Sequence, residues 1–348
     1  MRKWLQDKEI RAIESLDPDV AHYFTRGCGD DLVATEAPEA WRARRWRPRV
    51  LRDVSRIDTG VRLWGDWRMP LGVAPTAFHR LLHDGGEVAT ATGAAAAGVP
   101  FVLSSRATRR IEDVAAAIGG PWWFQVYLMH ERSVTKALVQ RAERHGATAL
   151  VLTGDTPYVG YRASATGPRP LPITDDDALI NIAEHLALDA GADPWPLIDQ
   201  DPALSLTDID WLREISDLPI LVKGVLHPAD AVACVDHGAD GIWVSNHGGR
   251  QFDRAIATAD ALPSIVDAVD DDIPVVVDGG VRDGLDALTA LALGARMAFV
   301  GRPVLWGLRT AGAAGVQQVL EEFAADIRHW AGCAGAARTA DLDRSYLV

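Results

Sequence analysis

Cysteine is scarce in this chain: Cys28, Cys234 and Cys333 are the only three in 348 residues, an odd number at wide, unpatterned spacing. No CxxC pair and no Cys/His ligand cluster occurs, which argues against a disulfide framework and against a zinc site. Long apolar runs are missing as well. None approaches the roughly 18 residues of a membrane helix, and the first residues return to charge without the apolar stretch of a secretory signal. A cytoplasmic location with no membrane partner is therefore expected. Positive charge is in deficit, with 35 Lys and Arg against 48 Asp and Glu, a formal net charge of −13. That balance disfavours a nucleic-acid binder, while leaving room for a local cationic pocket. Low-complexity tracts and Pro/Ser-rich linkers are also lacking, so one domain spanning 1–348 is expected.

What is present is ample core, with 48% hydrophobic and 24% charged residues. Short apolar runs recur at 70–74, 100–103, 122–127, 149–153, 219–223, 241–245, 274–278 and 297–300. Their apolarity is continuous rather than alternating, which suits strands buried on both faces of a parallel sheet. Amphipathic stretches at 87–97, 133–145, 228–237 and 284–293 lie between them, each closed by a stop glycine: Gly98, Gly146, Gly238 and Gly294. A βα unit repeated eight times predicts an α/β fold of the TIM (β/α)8 barrel type. An open doubly wound sheet would need GxGxxG directly after the first strand, and nothing like it follows 71–76. Residues 1–60 are expected to be an N-terminal helical segment closing one end of the barrel. Residues 154–205, the long loop after strand 4, are expected to form a lid or binding loop.

In such a barrel, chemistry gathers at the C-terminal strand ends. Those ends carry Pro75-Thr76-Ala77, Ser104-Ser105-Arg106, Gln125 with Tyr127, and Thr153 with Asp155. The later strands add Lys223, Ser245 with His247 and Arg250, Asp278-Gly279-Gly280-Val281-Arg282, and Gly301-Arg302. The last two groups pair glycine turns with a guanidinium, the combination that lets backbone N–H groups and a forked cation approach a phosphate. His247 could abstract a proton, bind a metal or hold its loop. No second His or Glu lies at ligand spacing, so no metal is expected. The other nine histidines, His79 among them, have no comparable setting.

Ser245-Asn246-His247-Gly248-Gly249-Arg250-Gln251 resembles the active-site signature of the FMN-dependent 2-hydroxy acid oxidases and dehydrogenases. Ala74-Pro75-Thr76-Ala77, Asp155-Thr156-Pro157, Leu221-Val222-Lys223-Gly224 and Asp278-Gly279-Gly280-Val281-Arg282 agree with the same family. The resemblance runs from His22-Tyr23-Phe24 to Gly301-Arg302-Pro303. It implies FMN as cofactor, a small (S)-2-hydroxy acid as substrate, oxygen as acceptor with peroxide released, and a homo-oligomer, a tetramer in many members. It implies that His247 is the base and Asp155 its orienting carboxylate. Arg162 and Arg250 would clamp the substrate carboxylate, with Tyr23 and Tyr127 donating to its carboxylate and hydroxyl. Lys223 would lie against the flavin's pyrimidine edge, and Pro75, Thr76, Ala77, Ser104, Gln125, Thr153 and Ser245 would line the ring. Asp278 would take the ribityl chain, and Gly279, Gly280, Arg282, Gly301 and Arg302 the phosphate end.

Three departures stand out. Where glycolate oxidases carry Trp after the paired serines, this chain has Arg106, which is expected to favour a second anionic or strongly polar group on the substrate, or to pair with an acid of the lid. Gly154 and Tyr161 also differ from the commonest residues. Alternatives are the same oxidation with a quinone or protein acceptor, a decarboxylating monooxygenase, an isopentenyl-diphosphate-isomerase-like barrel, and a non-catalytic flavin binder.

Overall fold

The structure is a computed structural model that describes residues 2–161, 171–186, 193–271 and 273–348. Eight strands form its centre: β1 (Leu71–Val73), β2 (Val102–Leu103), β3 (Trp122–Val126) and β4 (Ala147–Thr153), then β5 (Ile220–Val225), β6 (Gly241–Val244), β7 (Val275–Val277) and β8 (Met297–Val300). All pair in parallel, in the order β1-β8-β7-β6-β5-β4-β3-β2. A single parallel bridge between Val73 and Phe101 joins the two ends of that order. It is backed by the Val73 N–H donating to the Pro100 carbonyl at 2.9 Å. The sheet thus closes on itself, and the eight apolar runs are the eight staves of a TIM barrel. Their sequences read as unbroken apolar stretches because one face meets the barrel interior and the other the surrounding helices.

The helices come in chain order. Three precede the barrel: α1 (Lys3–Glu14), α2 (Pro18–Thr25) and α3 (Leu32–Arg42). Each strand is then followed by one: α4 (Gly86–Ala97), α5 (Ile111–Ile118), α6 (Arg132–Arg144), α7 (Thr207–Ile215), α8 (Pro228–Asp236), α9 (Thr258–Val266), α10 (Gly284–Ala292) and α11 (Arg302–Ala334, broken at Ala311–Gly312). The four stop glycines fall one or two residues beyond α4, α6, α8 and α10.

Inside the barrel, Trp123, Trp243, Met297 and Phe299 pack with Val102, Val151, Leu221 and Val276. Trp243 and Phe299 have ring centroids 4.2 Å apart, and Trp123 and Phe299 5.4 Å. A two-stranded hairpin, Val61–Arg62 against Asp66–Trp67, adds Leu63 and Trp67 to this cluster. Its Trp64 carbonyl accepts the Thr148 hydroxyl at 2.8 Å, at the start of β4. The hairpin therefore stoppers the N-terminal mouth. The N-terminal helical segment expected over 1–60 is present as three helices, the last ending at Arg42, while 43–60 is irregular. That stretch carries Pro48, which cannot donate to a helical ladder, and Leu51, which takes a left-handed backbone with a φ of 56°. The third N-terminal helix instead reaches the opposite, C-terminal rim, where Trp41 Nε1 donates to the Gly279 carbonyl at 2.7 Å.

The long excursion is tied down where it is described. Residues 197–201 follow the segment after β3 through Glu131 N–H to Leu197 O (2.9 Å), His130 N–H to Asp199 O (3.1 Å) and Asp201 N–H to Leu128 O (2.9 Å). Among the described residues no helix is long and apolar enough to cross a membrane, and no His/Cys/Asp/Glu cluster could hold a metal.

Candidate active site

A cavity of about 360 Å³ opens at the C-terminal strand ends. The loop after β6 brings His247 to it. His247 itself has a φ of 55°, followed by Gly248 at 64° and Gly249 at 76°. Left-handed backbone at a non-glycine residue is costly and recurs at functional sites. Here the turn aims the imidazole across the loop at Asp155, with Nδ1 3.0 Å from Oδ1. Nδ1 is thereby engaged, and Nε2 is the ring nitrogen available to the cavity. Burial alone would raise the Asp155 carboxyl, but His247 and then Lys223 beside it hold it below its ordinary value. Asp155 is thus an ionised partner for an imidazolium.

Gly224 makes room for this pair. Its φ is +104°, and a Cβ placed on it would lie 2.5 Å from Cβ of Asp155. Strand β5 also shifts register there, between Lys223 and Val225. Gly224→Ala is expected to push Asp155 off His247 and reduce turnover at least tenfold, by misorienting the imidazole. Steady-state kinetics alongside a thermal melt would check it; a variant that melts early but turns over normally would contradict this role.

Lys223 is 4% exposed at its side chain, and its ammonium bonds Ser245 Oγ at 2.6 Å and Asp278 Oδ2 at 3.1 Å. Ser245 in turn donates to Asp278 Oδ1 at 2.6 Å. The three form a closed buried triad. Next along the rim, Gln125 Nε2 donates to Thr153 Oγ1 at 2.9 Å, while its Oε1 accepts from the Ser104 hydroxyl and the Ser105 N–H. Thr76, between Pro75 and Ala77, meets His79 Nε2 at 2.5 Å.

At the β7 and β8 ends the glycine turns carry two mostly buried arginines. Gly280 has a φ of +84°, and a Cβ there would meet the Ala37 backbone at 2.5 Å, so this turn is pressed against α3. Burial pushes the Arg282 guanidinium below its ordinary value. Burial does the same to Arg302, and the charges of Arg250 and Arg282 push it further. Arg302 is fixed by donation to Phe24 O at 2.9 Å and Gly248 O at 3.0 Å. Three cations crowded against each other form a pocket suited to an anion.

On the remaining side, Arg250 donates to the Tyr23 carbonyl at 2.6 Å and stacks 4.8 Å over the Tyr23 ring. Burial, with Asp155 and Tyr23, raises the Tyr127 phenol, which therefore stays protonated and able to donate. Arg106 is mostly buried beside Tyr127 and Tyr23.

The structure brings together Tyr23, Pro75, Thr76, Ala77, Ser104, Arg106, Gln125, Tyr127, Thr153, Lys223, His247, Arg250, Asp278, Gly279, Gly280, Arg282, Gly301 and Arg302 on one wall. Asp155 and Ser245 stand behind it, each holding a wall residue. The Ser245 hydroxyl is held between Lys223 and Asp278. Arg162 lies outside the described residues. Among the wall residues that escaped the sequence reading are Trp195, Asp199 and Gln200 from the excursion, and Phe78, Val159 and Leu305. So did His79. It is fully buried, bonds Thr90 Oγ1 at 2.9 Å through Nδ1, and its backbone N–H donates to buried Glu87 at 3.0 Å. The signal for His79 was its place three residues after Thr76, with Glu87 on the next helix.

The chain is similar to known proteins over nearly its whole length. The family model described as FMN-dependent dehydrogenase matches residues 12–348. Glycolate oxidase 1 of Zea mays is 41% identical over 338 residues, covering 95% of this chain and 92% of the relative. L-lactate oxidase of Nostoc sp. is 39% identical over 338 residues, covering 93% and 92%. A crystal structure of mandelate oxidase with (S)-4-hydroxymandelic acid superposes with a TM-score of 0.86 at 34% identity, covering 99% of this chain and 98% of that one.

Proposed function

This chain belongs to the FMN-dependent dehydrogenase family and is an FMN-dependent oxidase of 2-hydroxy acids, and on that premise we propose how its cavity divides the work. The observation that carries the proposal is the His247–Asp155 pair at 3.0 Å, opening on a cavity that also holds Arg250 and Lys223.

The residues fit the cofactor. The crowded Arg282 and Arg302, with the glycine turns at Gly279, Gly280 and Gly301, suit a phosphate monoester, which would relieve their mutual repulsion. The Lys223 ammonium, buried and held by Ser245 and Asp278, would supply a fixed positive charge for a ring that gains negative charge on reduction. Bound FMN accepts the two electrons that the substrate gives up.

Arg250 holds the substrate carboxylate in a charge-assisted pair, and the proposal gives Arg162 the same task. Tyr23 and Tyr127 donate to the substrate's oxygens. Nε2 of His247 takes a proton as the 2-hydroxy acid becomes the 2-keto acid, and Asp155 stabilises the resulting imidazolium. In the net reaction the substrate loses two electrons and two protons, and dioxygen takes up both to leave as hydrogen peroxide. The proposal includes a cytoplasmic homo-oligomer. In its support, Tyr158, Tyr161 and Phe252 are each more than 70% exposed, apolar surface that an assembly would cover.

The test is anaerobic bleaching of the flavin by (S)- and (R)-2-hydroxy acids, followed by air. Rapid bleaching by (S)-acids alone is expected, with colour returning on aeration and one peroxide formed per flavin. Failure of every 2-hydroxy acid to bleach the flavin would sink the proposal. Bleaching with persistent loss of colour in air would move the acceptor from oxygen to a dye-like or quinone partner.

A further inference from the structure

One cation of the cavity has no work in the scheme above. Arg106, directly after β2, is only 9% exposed. Its Nη2 donates to the Ile198 carbonyl, while Nη1 is buried without a hydrogen-bond partner among the described residues. Leaving a buried guanidinium N–H unpaired is expensive, so such a group marks a place where a ligand atom completes the set.

A second unpaired atom lines the same cavity. Gln200 Oε1 is also buried without a partner among the described residues, and its backbone is fixed by a bridge to Met129. The oxygen and nitrogen of an amide exchange places by a simple flip, so Gln200 offers either an acceptor or two donors there. Both residues line the cavity with His247 and Arg250. The Tyr127 phenol feels both Arg106 and Arg250, which places it within electrostatic range of each guanidinium. Among the described residues, the carboxylates at the cavity are Asp199 and Asp278 on its wall and Asp155 behind. Asp278 is taken by Lys223 and Asp155 by His247. Asp199 is close enough to favour the charged form of Arg106, yet no hydrogen bond joins the two.

We propose that Arg106 and Gln200 form a second carboxylate subsite, and that the substrate is a short 2-hydroxy dicarboxylic acid whose C1 carboxylate lies at Arg250 and whose distal carboxylate lies at Arg106. This inference rests on the oxidase reading above and names the substrate class for the same site. Asp199 tunes the subsite: it keeps Arg106 charged and repels a substrate long enough to reach past the guanidinium. A site built to pair a charged group rejects analogues that lack it, because its own buried donors are then left unsatisfied.

The experiment uses the FMN-loaded enzyme and two matched pairs, (S)-malate with (S)-2-hydroxybutyrate and (S)-2-hydroxyglutarate with (S)-2-hydroxyvalerate. Anaerobic flavin reduction is followed by stopped flow, and keto-acid binding by perturbation of the oxidised flavin spectrum. At least one dicarboxylate is expected to exceed its monocarboxylate partner about 100-fold in reduction efficiency, with 2-oxo-dicarboxylates binding correspondingly tighter. Arg106→Met should collapse that ratio to within about threefold of unity, Arg106→Lys should retain part of it, and Gln200→Leu should lower it about tenfold. The flavin spectrum of each variant reports whether it has folded and loaded. Should Arg106→Met fail that check, the wild-type ratios and Gln200→Leu still decide.

Monocarboxylates that reduce the flavin as well as their dicarboxylate partners would overturn the subsite while leaving the oxidase reading intact. So would a preference that survives Arg106→Met unchanged, which would assign Arg106 to Asp199 alone. If no 2-hydroxy acid of either class reduces the flavin, both readings fall.

Discussion

Replacing His247 by Gln is expected to slow anaerobic flavin reduction by a 2-hydroxy acid about 1000-fold, within the range of roughly 100 to 10,000 typical for loss of a positioned base. The flavin should stay bound, because the proposed cofactor contacts are Lys223, Gln125, Arg282 and Arg302 rather than the imidazole. Asp155→Asn should cost a comparable factor. An amide in place of the carboxylate at 3.0 Å from Nδ1 withdraws the charge that stabilises the imidazolium and permits the wrong tautomer. The double variant should be little worse than His247→Gln alone, since the second residue acts only through the first. Stopped-flow reduction of the three variants decides this. Losses that multiply would show that Asp155 acts independently of His247.

The second large effect is on stability. Trp243 is fully buried in the barrel interior, 4.2 Å from the Phe299 ring, and the Lys223 ammonium sits 5.6 Å above its ring. Trp243→Ala is expected to cost about 3–5 kcal/mol, the range for emptying a large aromatic site that neighbours cannot refill. Phe124 and the other outer-face residues belong to the helix-packed layer and cannot swing inward to fill the hole. Because Lys223 rests on this ring, the variant should also release flavin more readily. Urea unfolding with and without added FMN measures both. Val50→Ala, at a position 79% exposed, serves as the control and should stay within about 0.5 kcal/mol. Equal midpoints for the two variants would mean that the interior repacks.

The barrel was legible in the sequence because parallel strands buried on both sides leave a plain record. Runs such as 149–152 and 297–300 are apolar throughout, and the residues that follow them carry the site. His247, Lys223 and Arg250 could be named from the rim alone. Other parts left no such record. Trp195, Asp199 and Gln200 reach the cavity only because backbone bonds tie 197–201 to 128–131, a pairing that no local period announces. His79 and Glu87 sit before and in an alanine-rich helix, and burial of both becomes evident only when Thr76, Thr90 and Thr108 are seen to complete their hydrogen bonds. The hairpin at 61–67 is too short for an alternating pattern to show. Its role follows from two tryptophans and a leucine reaching a mouth that the strands themselves create.

The barrel's closing bridge has a further consequence. Neighbouring strands elsewhere share two to five paired positions, whereas β1 and β2 meet at one, Val73 with Phe101. Thr76 and Ala77 leave the hoop on one side of that gap, Ser104 and Arg106 on the other, and all four border the same cavity. A ligand lying across them acts as a clasp on the barrel's slackest joint. Whatever free energy it gains on binding also holds the cylinder shut, so cofactor loading and the integrity of the fold are one linked equilibrium in this chain.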